Sequence, residues 1–192
     1  MFFSGLSGLI LTLSFPKSGL YFLSWIACLP LLYAIKDLSP KKGFFAGMCF
    51  GLVHFLSMLY WVAYTLHTYG FLPYILCLPI LLLLALYLSL YPAFFAMLLL
   101  KWCKRPIFLM IASPSLWVVL EFIRTYALTG FPWELLGYSQ YKALQIIQIS
   151  DIFGVYGISF LVTAVNVCLL LGWLFLNQSI VSISLQNADC KF

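Results

Sequence analysis

The stretch LWVVLEFIRTYALTGFPWELLGYSQY, residues 116–141, decides how the rest of this chain is interpreted. Its first half predicts the end of a membrane helix, and its second half leaves that helix through a glycine and a proline. Trp117, Glu121 and Arg124 follow one another at spacings of four and three, so their side chains share one helical face. The aromatic and polar residues that come next are typical of a membrane–water boundary.

The two charged residues of this face have two interpretations. A carboxylate and a guanidinium at the edge of the hydrocarbon region are costly, so such residues often mark functional sites. Paired charges also occur inside membranes as packing elements that lock one helix to a neighbour. From the sequence, Glu121 and Arg124 are therefore either part of a site or a structural ion pair.

The composition places the chain in a membrane. Of the 192 residues, 65% are hydrophobic and 8% are charged, and the mean hydropathy is +1.08. A soluble globular domain cannot hide that much apolar surface. The net charge of +5 does not indicate nucleic acid, because the basic residues stand in short loops between apolar runs. The six cysteines show no metal-ligand or redox spacing, so we expect apolar fillers and no metal or other cofactor.

Apolar runs predict an all-α membrane bundle of about six transmembrane helices. At about 1.5 Å per residue, the first two runs are shorter than the ~30 Å hydrocarbon core and suit a tilted hairpin. We predict a transmembrane domain over residues 1–176 and a polar cytoplasmic tail over 177–192, which we expect to fray. The six runs are residues 2–15, 20–35, 44–66, 72–100, 107–128 and 152–176.

Two basic clusters orient the predicted bundle. Because positive residues favour cytoplasmic loops, both clusters are placed inside, which makes both termini cytoplasmic. The fifth helix then runs outward and carries residues 116–141 to the outer leaflet. The clusters are Lys36, Lys41 and Lys42, and Lys101, Lys104 and Arg105.

The third run contains two further features. Gly43, Gly47 and Gly51 are four residues apart, and a stripe of small residues predicts a close helix-packing face. His54 follows, and it is expected near the middle of the membrane. It is either a hydrogen-bonded core histidine or a ligand or proton relay.

Two other segments also leave alternatives open. Tyr87 and Tyr91 stand one helical turn apart, so they either pack inside the bundle or line a lipid-facing groove. Residues 141–154 mix isoleucines with polar side chains, so this segment is either interfacial or re-entrant.

Six blocks of sequence follow one another in a recognisable order: LSFP (13–16), LSWIACLPLLYAI (23–35), GFFAGMCFGLVHFLSMLYWV (43–62), LALYLSLYPAFFA (84–96), PSLWVVLEFIRTYALTGFPWELLGYSQ (114–140) and GVYGISFLVTAVN (154–166). Together they resemble the N-terminal membrane domain of bacterial apolipoprotein N-acyltransferase. The resemblance covers about residues 10–172, and the fifth block is its specific part.

This resemblance implies the final step of lipoprotein maturation in the bacterial inner membrane. An acyl chain moves from a phospholipid to an enzyme cysteine, and then to the α-amino group of a diacylglyceryl-cysteine on the apolipoprotein. In that family, a glutamate base, a lysine and the cysteine belong to an extracytoplasmic nitrilase-like domain inserted before the last membrane helix. The implied partners are membrane phospholipid, a nitrilase-like catalytic polypeptide and diacylated apolipoprotein.

No catalytic residue is carried over from this resemblance. We expect the chain to stop before the helix that leads to the nitrilase-like domain, and Cys190 falls in the predicted cytoplasmic tail. Acyl transfer is therefore expected to need a separate or lost catalytic half. The alternative is a non-catalytic membrane module that binds phospholipid or a lipoprotein-processing partner, whereas the lack of an inverted repeat disfavours a transporter. The candidate contacts with lipid or another domain are Trp117, Glu121, Arg124, Phe131, Pro132, Trp133, Gly137, Tyr138 and Gln140.

Overall fold

The computed structural model describes residues 1–102 and 106–189, with side chains for 1–102 and 108–177. The described chain is built from helices, as the sequence predicts. Cys103, Lys104, Arg105 and Cys190 lie outside the described residues. The elements are α1 (Phe2–Leu13), a 3₁₀ turn (Tyr21–Leu23), α2 (Ser24–Ala27), α3 (Leu29–Ile35), α4 (Pro40–Met58), α5 (Tyr60–Thr68), α6 (Tyr74–Trp102), α7 (Pro106–Tyr126), a second 3₁₀ turn (Leu136–Gln140), α8 (Leu144–Ile147) and α9 (Ser150–Asp189).

Three helices of the described chain, α6, α7 and α9, are long and apolar enough to cross a membrane. A fourth span results if α4 and α5 are counted together, because they are bent by 44° at a short break. The single run predicted over residues 44–66 is therefore broken at Leu59. The apolar helices in Phe2–Leu13 and Tyr21–Ile35 are shorter, in line with the predicted short hairpin. The count of six spans and the cytoplasmic termini stay predictions.

Helices α4 and α6 pack closely along the small-residue stripe. A Cβ atom added to Gly47 would lie 2.2 Å from the carbonyl oxygen of Pro92, and one added to Gly51 would lie 2.8 Å from Cα of Ser89. At Gly43 the added atom would meet the side chain of Leu100 at 2.4 Å. Glycine is required at Gly47 and Gly51, because a methyl group would push the two backbones apart, whereas at Gly43 the flexible Leu100 side chain can move aside.

A proline and a buried asparagine mark the break between α2 and α3. In a continuous helix the N–H of Cys28 would donate to the carbonyl of Ser24, four residues earlier. Instead, Asn166 Oδ1 accepts from Cys28 N at 2.9 Å, and Asn166 Nδ2 donates to Ser24 O at 2.9 Å. Pro30 has no N–H and its ring displaces the carbonyl four residues earlier, so the helix cannot continue from α2 into α3. The Asn166 amide is inserted into this break and joins α9 to the N-terminal hairpin.

Helix α9 begins and ends differently from the predicted run over residues 152–176. Near its start Gly154 has φ +62° and ψ −168°, a backbone conformation that glycine alone adopts readily, and the helix is kinked there. At its other end the helical backbone continues to Asp189. The predicted polar tail thus continues α9 as far as that residue, and its fraying stays a prediction.

Candidate functional site

Helix α7 presents one polar face to the interior of the bundle. Trp117, Glu121 and Arg124 are 8%, 6% and 4% exposed, respectively, and all three line the same cavity. The shared face predicted from their spacing is therefore confirmed. This face is turned inward, toward α1, α4 and α6 and toward the loop that follows α7.

Glu121 and Arg124 hold that loop through opposite kinds of backbone group: Glu121 accepts from an N–H, and Arg124 donates to carbonyl oxygens. Glu121 Oε1 accepts a hydrogen bond of 2.7 Å from the backbone N–H of Leu136, the first residue of the second 3₁₀ turn. A carboxylate is stabilising at the start of a helical turn, where N–H groups lack partners. Arg124 Nη2 donates to the carbonyl oxygens of Trp133 at 3.3 Å and Glu134 at 3.1 Å.

The two charged side chains are not joined directly. Among the described residues, Lys36 and Asp37 form an ion pair at 3.8 Å, whereas Glu121 and Arg124 do not come within the 4 Å that an ion pair requires. The direct ion pair between Glu121 and Arg124 considered from the sequence is therefore not what the structure shows. Each charge instead binds backbone groups of the loop at residues 133–136.

Left-handed backbone positions turn the chain out of α7. Gly130 has φ +76°, and Leu128 and Glu134 have φ +58° and +59°. A Cβ atom on Gly130 would lie 2.3 Å from the carbonyl oxygen of Thr125, so glycine is required there. The helix ends near the residue predicted, and the loop then returns toward the face that carries Glu121.

The loop is also anchored to α9 and to the N-terminal hairpin. Gly137 N–H donates to Ser159 Oγ at 2.9 Å, and a Cβ atom on Gly137 would lie 2.5 Å from the carbonyl oxygen of Val155. Gln140 is fully buried and accepts a hydrogen bond of 3.1 Å from Trp25 Nε1. Its amide nitrogen donates to the carbonyl oxygen of Tyr21 at 2.9 Å. Three separate elements thus hold this loop.

The loop exposes aromatic and proline side chains between these anchors. Trp133 is 53% and Tyr138 44% exposed, and Pro132 is exposed beside them. The Trp133 ring contacts the rings of Trp61 and Phe131 at centroid distances of 5.2 and 5.5 Å. Three of the nine candidate contact residues are therefore exposed, and the buried ones hold them in place. A contact with lipid or another domain stays a prediction.

Glu134 is a residue of this site that sequence reasoning missed. It lines the cavity with Arg124, and its backbone carbonyl binds that guanidinium. Burial raises the pKa of Glu134 from 4.5 to about 7, although the nearby Arg124 charge lowers it. A second carboxylate ten residues after the arginine, next to a tryptophan, was the available signal.

His54 is a hydrogen-bonded core residue. It is 2% exposed, and its Nδ1 lies 3.1 Å from Thr12 Oγ1. The Thr12 hydroxyl donates its proton to the carbonyl oxygen of Gly8 at 2.9 Å, so it accepts from His54, whose Nδ1 therefore carries the hydrogen. This arrangement matches the core interpretation rather than the ligand or relay interpretation.

Comparison with known proteins identifies the family. The family model of the apolipoprotein N-acyltransferase N-terminal domain matches residues 7–168. The chain belongs to this family. An apolipoprotein N-acyltransferase of Geobacter metallireducens is 48% identical over 164 residues, which are 85% of this chain and 32% of that protein. The apolipoprotein N-acyltransferases of Shewanella oneidensis and Photobacterium profundum are 35% and 33% identical, each over 80% of this chain and 30% of theirs.

Membership in the apolipoprotein N-acyltransferase family agrees with the resemblance found in the sequence. The chain spans about a third of the length of the curated relatives it matches. The matched part begins within α1 and ends about midway along α9, and so includes both the polar face of α7 and the loop that it holds.

Proposed function

We propose that these residues form the membrane domain of an apolipoprotein N-acyltransferase-like protein of the bacterial inner membrane. In this proposal, the domain presents Trp133 and Tyr138 at the outer membrane–water boundary, where they contact phospholipid and a nitrilase-like catalytic half. The observation that carries the proposal is a loop held by buried polar groups on three sides that nevertheless exposes aromatic side chains. Tryptophan and tyrosine are enriched at the level of lipid headgroups.

A groove beside the loop supports a role in admitting lipid. Its volume is about 500 Å³, and its lining includes Tyr138, Ile147, Val155 and Ile158. Largely apolar clefts of this size accept small molecules or parts of larger ones. Because Tyr138 belongs to both the groove and the exposed loop, a lipid chain in the groove would contact the same surface that faces the catalytic half.

We place the acyl-transfer chemistry outside these residues. A cysteine nucleophile needs an accessible thiolate and a neighbouring base. Cys28 and Cys77 are fully buried in the described structure, among apolar side chains of the two hydrophobic clusters, whereas Cys49 is partly exposed and Cys168 is exposed, both on apolar helices. The family resemblance implies a nitrilase-like half for this chemistry, and the proposed task of the membrane domain is to position that half at the bilayer.

Complementation tests this division of labour. The 192-residue chain would be expressed in cells depleted of their own apolipoprotein N-acyltransferase, alone or with the remaining two-thirds of the Geobacter relative. Mass spectrometry of a reporter lipoprotein would measure N-acylation. We expect triacylated lipoprotein only with both parts, and less of it when Trp133 and Tyr138 are replaced by alanine. Trp173→Ala is the control, because Trp173 is an exposed tryptophan outside the loop.

The outcomes separate the proposal from its alternatives. Triacylated lipoprotein made by the chain alone would contradict the placement of the chemistry elsewhere. If the two parts do not co-purify in mild detergent and N-acylation is absent in every arm, the non-catalytic membrane module is favoured. An equal loss in the loop variant and in Trp173→Ala would show that the loop has no special role.

A further inference from the structure

A small, mostly apolar cavity with polar groups on one side lies inside the bundle behind the loop. Its volume is about 30 Å³, which exceeds the roughly 10–15 Å³ that a cavity needs to hold one water molecule. Side chains of α1, α4 and α6 form one side of it and include His54, whose Nδ1 is bonded to Thr12, and Tyr91, whose hydroxyl is bonded to Tyr87. Trp117, Glu121, Arg124 and Glu134 form the polar side.

Each of these four residues has a buried polar atom without a hydrogen-bond partner in the described structure. The atoms are Trp117 Nε1, Arg124 Nε, Glu121 Oε2 and Glu134 Oε2. Trp117, Glu121 and Arg124 are each more than nine-tenths buried. Buried polar groups in proteins are normally paired, so four unpaired atoms around one cavity require an explanation.

We infer that this cavity is a binding site for water, in which one molecule joins the four atoms. When Glu134 is ionised, two N–H donors and two carboxylate oxygens match, in number and in kind, the four hydrogen bonds of one water molecule. The two carboxylates disfavour an anion, and the guanidinium and indole N–H disfavour a metal cation. An apolar occupant would leave all four atoms unpaired.

The site gives the loop an additional attachment to the bundle. Trp117, Glu121 and Arg124 belong to α7, whereas Glu134 belongs to the loop. A water shared among them connects the Glu134 side chain to the helix, in addition to the direct bonds from Glu121 and Arg124 to the loop backbone. Bridging waters of this kind are nearly as favourable in enthalpy as direct hydrogen bonds.

Water-edited solid-state NMR of the ¹⁵N-tryptophan-labelled chain in lipid bilayers tests the inference directly. Polarisation transfer from water to the Trp117 indole N–H should be comparable to that of the exposed Trp133. Trp25 is the matched control, because its indole N–H is bonded to Gln140, and it should receive little. Trp117→Phe assigns the signal. A Trp117 indole as dry as that of Trp25 would overturn the proposed site.

A double-mutant cycle provides a second measurement that does not depend on signal assignment. Trp117→Phe removes one donor and Glu134→Gln alters one acceptor, while both keep the side-chain shape. The double variant should lose less thermal stability than the sum of the single losses, because the first change already disrupts the shared water. The pair Trp173→Phe and Asp151→Asn, both at exposed positions, should be additive. Additivity in the cavity pair would also overturn the inference.

Discussion

Replacing Glu121 by leucine should release the loop from α7. The carboxylate accepts the N–H of Leu136 at 2.7 Å, and both groups are buried. Leucine fills a similar volume but leaves that N–H without an acceptor. Because the bond fixes the start of the second 3₁₀ turn, we expect its loss to loosen residues 131–140 before the rest of the bundle.

The size of this effect follows from the charge on the acceptor. A hydrogen bond to a charged group contributes about 1.5–3 kcal/mol, so Glu121→Leu should lower the free energy of local opening by about that amount. Glu121→Gln keeps an acceptor of the same shape, and a neutral hydrogen bond is roughly half as strong, so it should cost about half as much. A tenfold change corresponds to about 1.4 kcal/mol, so the leucine variant should exchange the Leu136 amide roughly 10- to 150-fold faster.

Hydrogen–deuterium exchange read by mass spectrometry on the peptide over residues 131–140 measures this opening in detergent or in lipid nanodiscs. The control is Ser115→Ala on the same helix, because Ser115 is exposed and its hydroxyl binds only the carbonyl oxygen of Ile111, one turn earlier. The control should leave exchange in the loop unchanged.

Two results would refute the reasoning about Glu121. If both Glu121 variants exchange at the wild-type rate, the carboxylate does not hold the loop. If the leucine and glutamine variants are equally fast, its charge contributes nothing, and the hydrogen bond in the structure does not control local opening.

Three further changes test the packing and the polar core, each by thermal unfolding in detergent. Gly47→Ala should cost about 1–3 kcal/mol, because the added Cβ meets the Pro92 carbonyl at 2.2 Å. Gly172→Ala, with nothing within 4 Å, should instead stabilise the helix by roughly 0.5–1 kcal/mol, and equal effects would contradict the close approach. Asn166→Leu leaves the N–H of Cys28 and the carbonyl of Ser24 unpaired and should cost at least about 2 kcal/mol, while a neutral result would show that Asn166 does not hold the α2–α3 break. Burial raises the pKa of Glu134 from 4.5 to about 7, so the folded chain binds this proton more tightly than the unfolded chain does. Its stabilising contribution is complete below about pH 4.5 and is lost as the pH rises through about 7, so Glu134→Gln should flatten the dependence of Tm over about pH 5–8.

The long helices were predictable because their signal is local. The run predicted over residues 72–100 became α6, Tyr74–Trp102, and the run over 107–128 became α7, Pro106–Tyr126. Length and hydropathy are sufficient for such helices. The break at Leu59 was not predictable in the same way, because neither glycine nor proline marks it and the apolar character continues across it.

The site was predictable only in part. Spacing alone identified the shared face of Trp117, Glu121 and Arg124, since residues three and four apart meet on any helix. The groups that the two charges bind are backbone atoms of Leu136, Trp133 and Glu134. Every residue carries the same backbone groups, so no pattern of side chains could have indicated these partners.

What the sequence determined by itself is the class of the protein: a chain of apolar helices with a polar stripe on the helix before its most specific loop. Composition and periodicity are properties of neighbouring residues, so they can be evaluated without knowledge of the tertiary structure. Only the tertiary structure decided that the stripe faces inward, that Glu121 and Arg124 bind the loop rather than each other, and that Asn166 is inserted into the break of a helix far away in sequence. Those outcomes depend on which distant backbone groups come within about 3 Å, and hydrogen bonding acts only at that range.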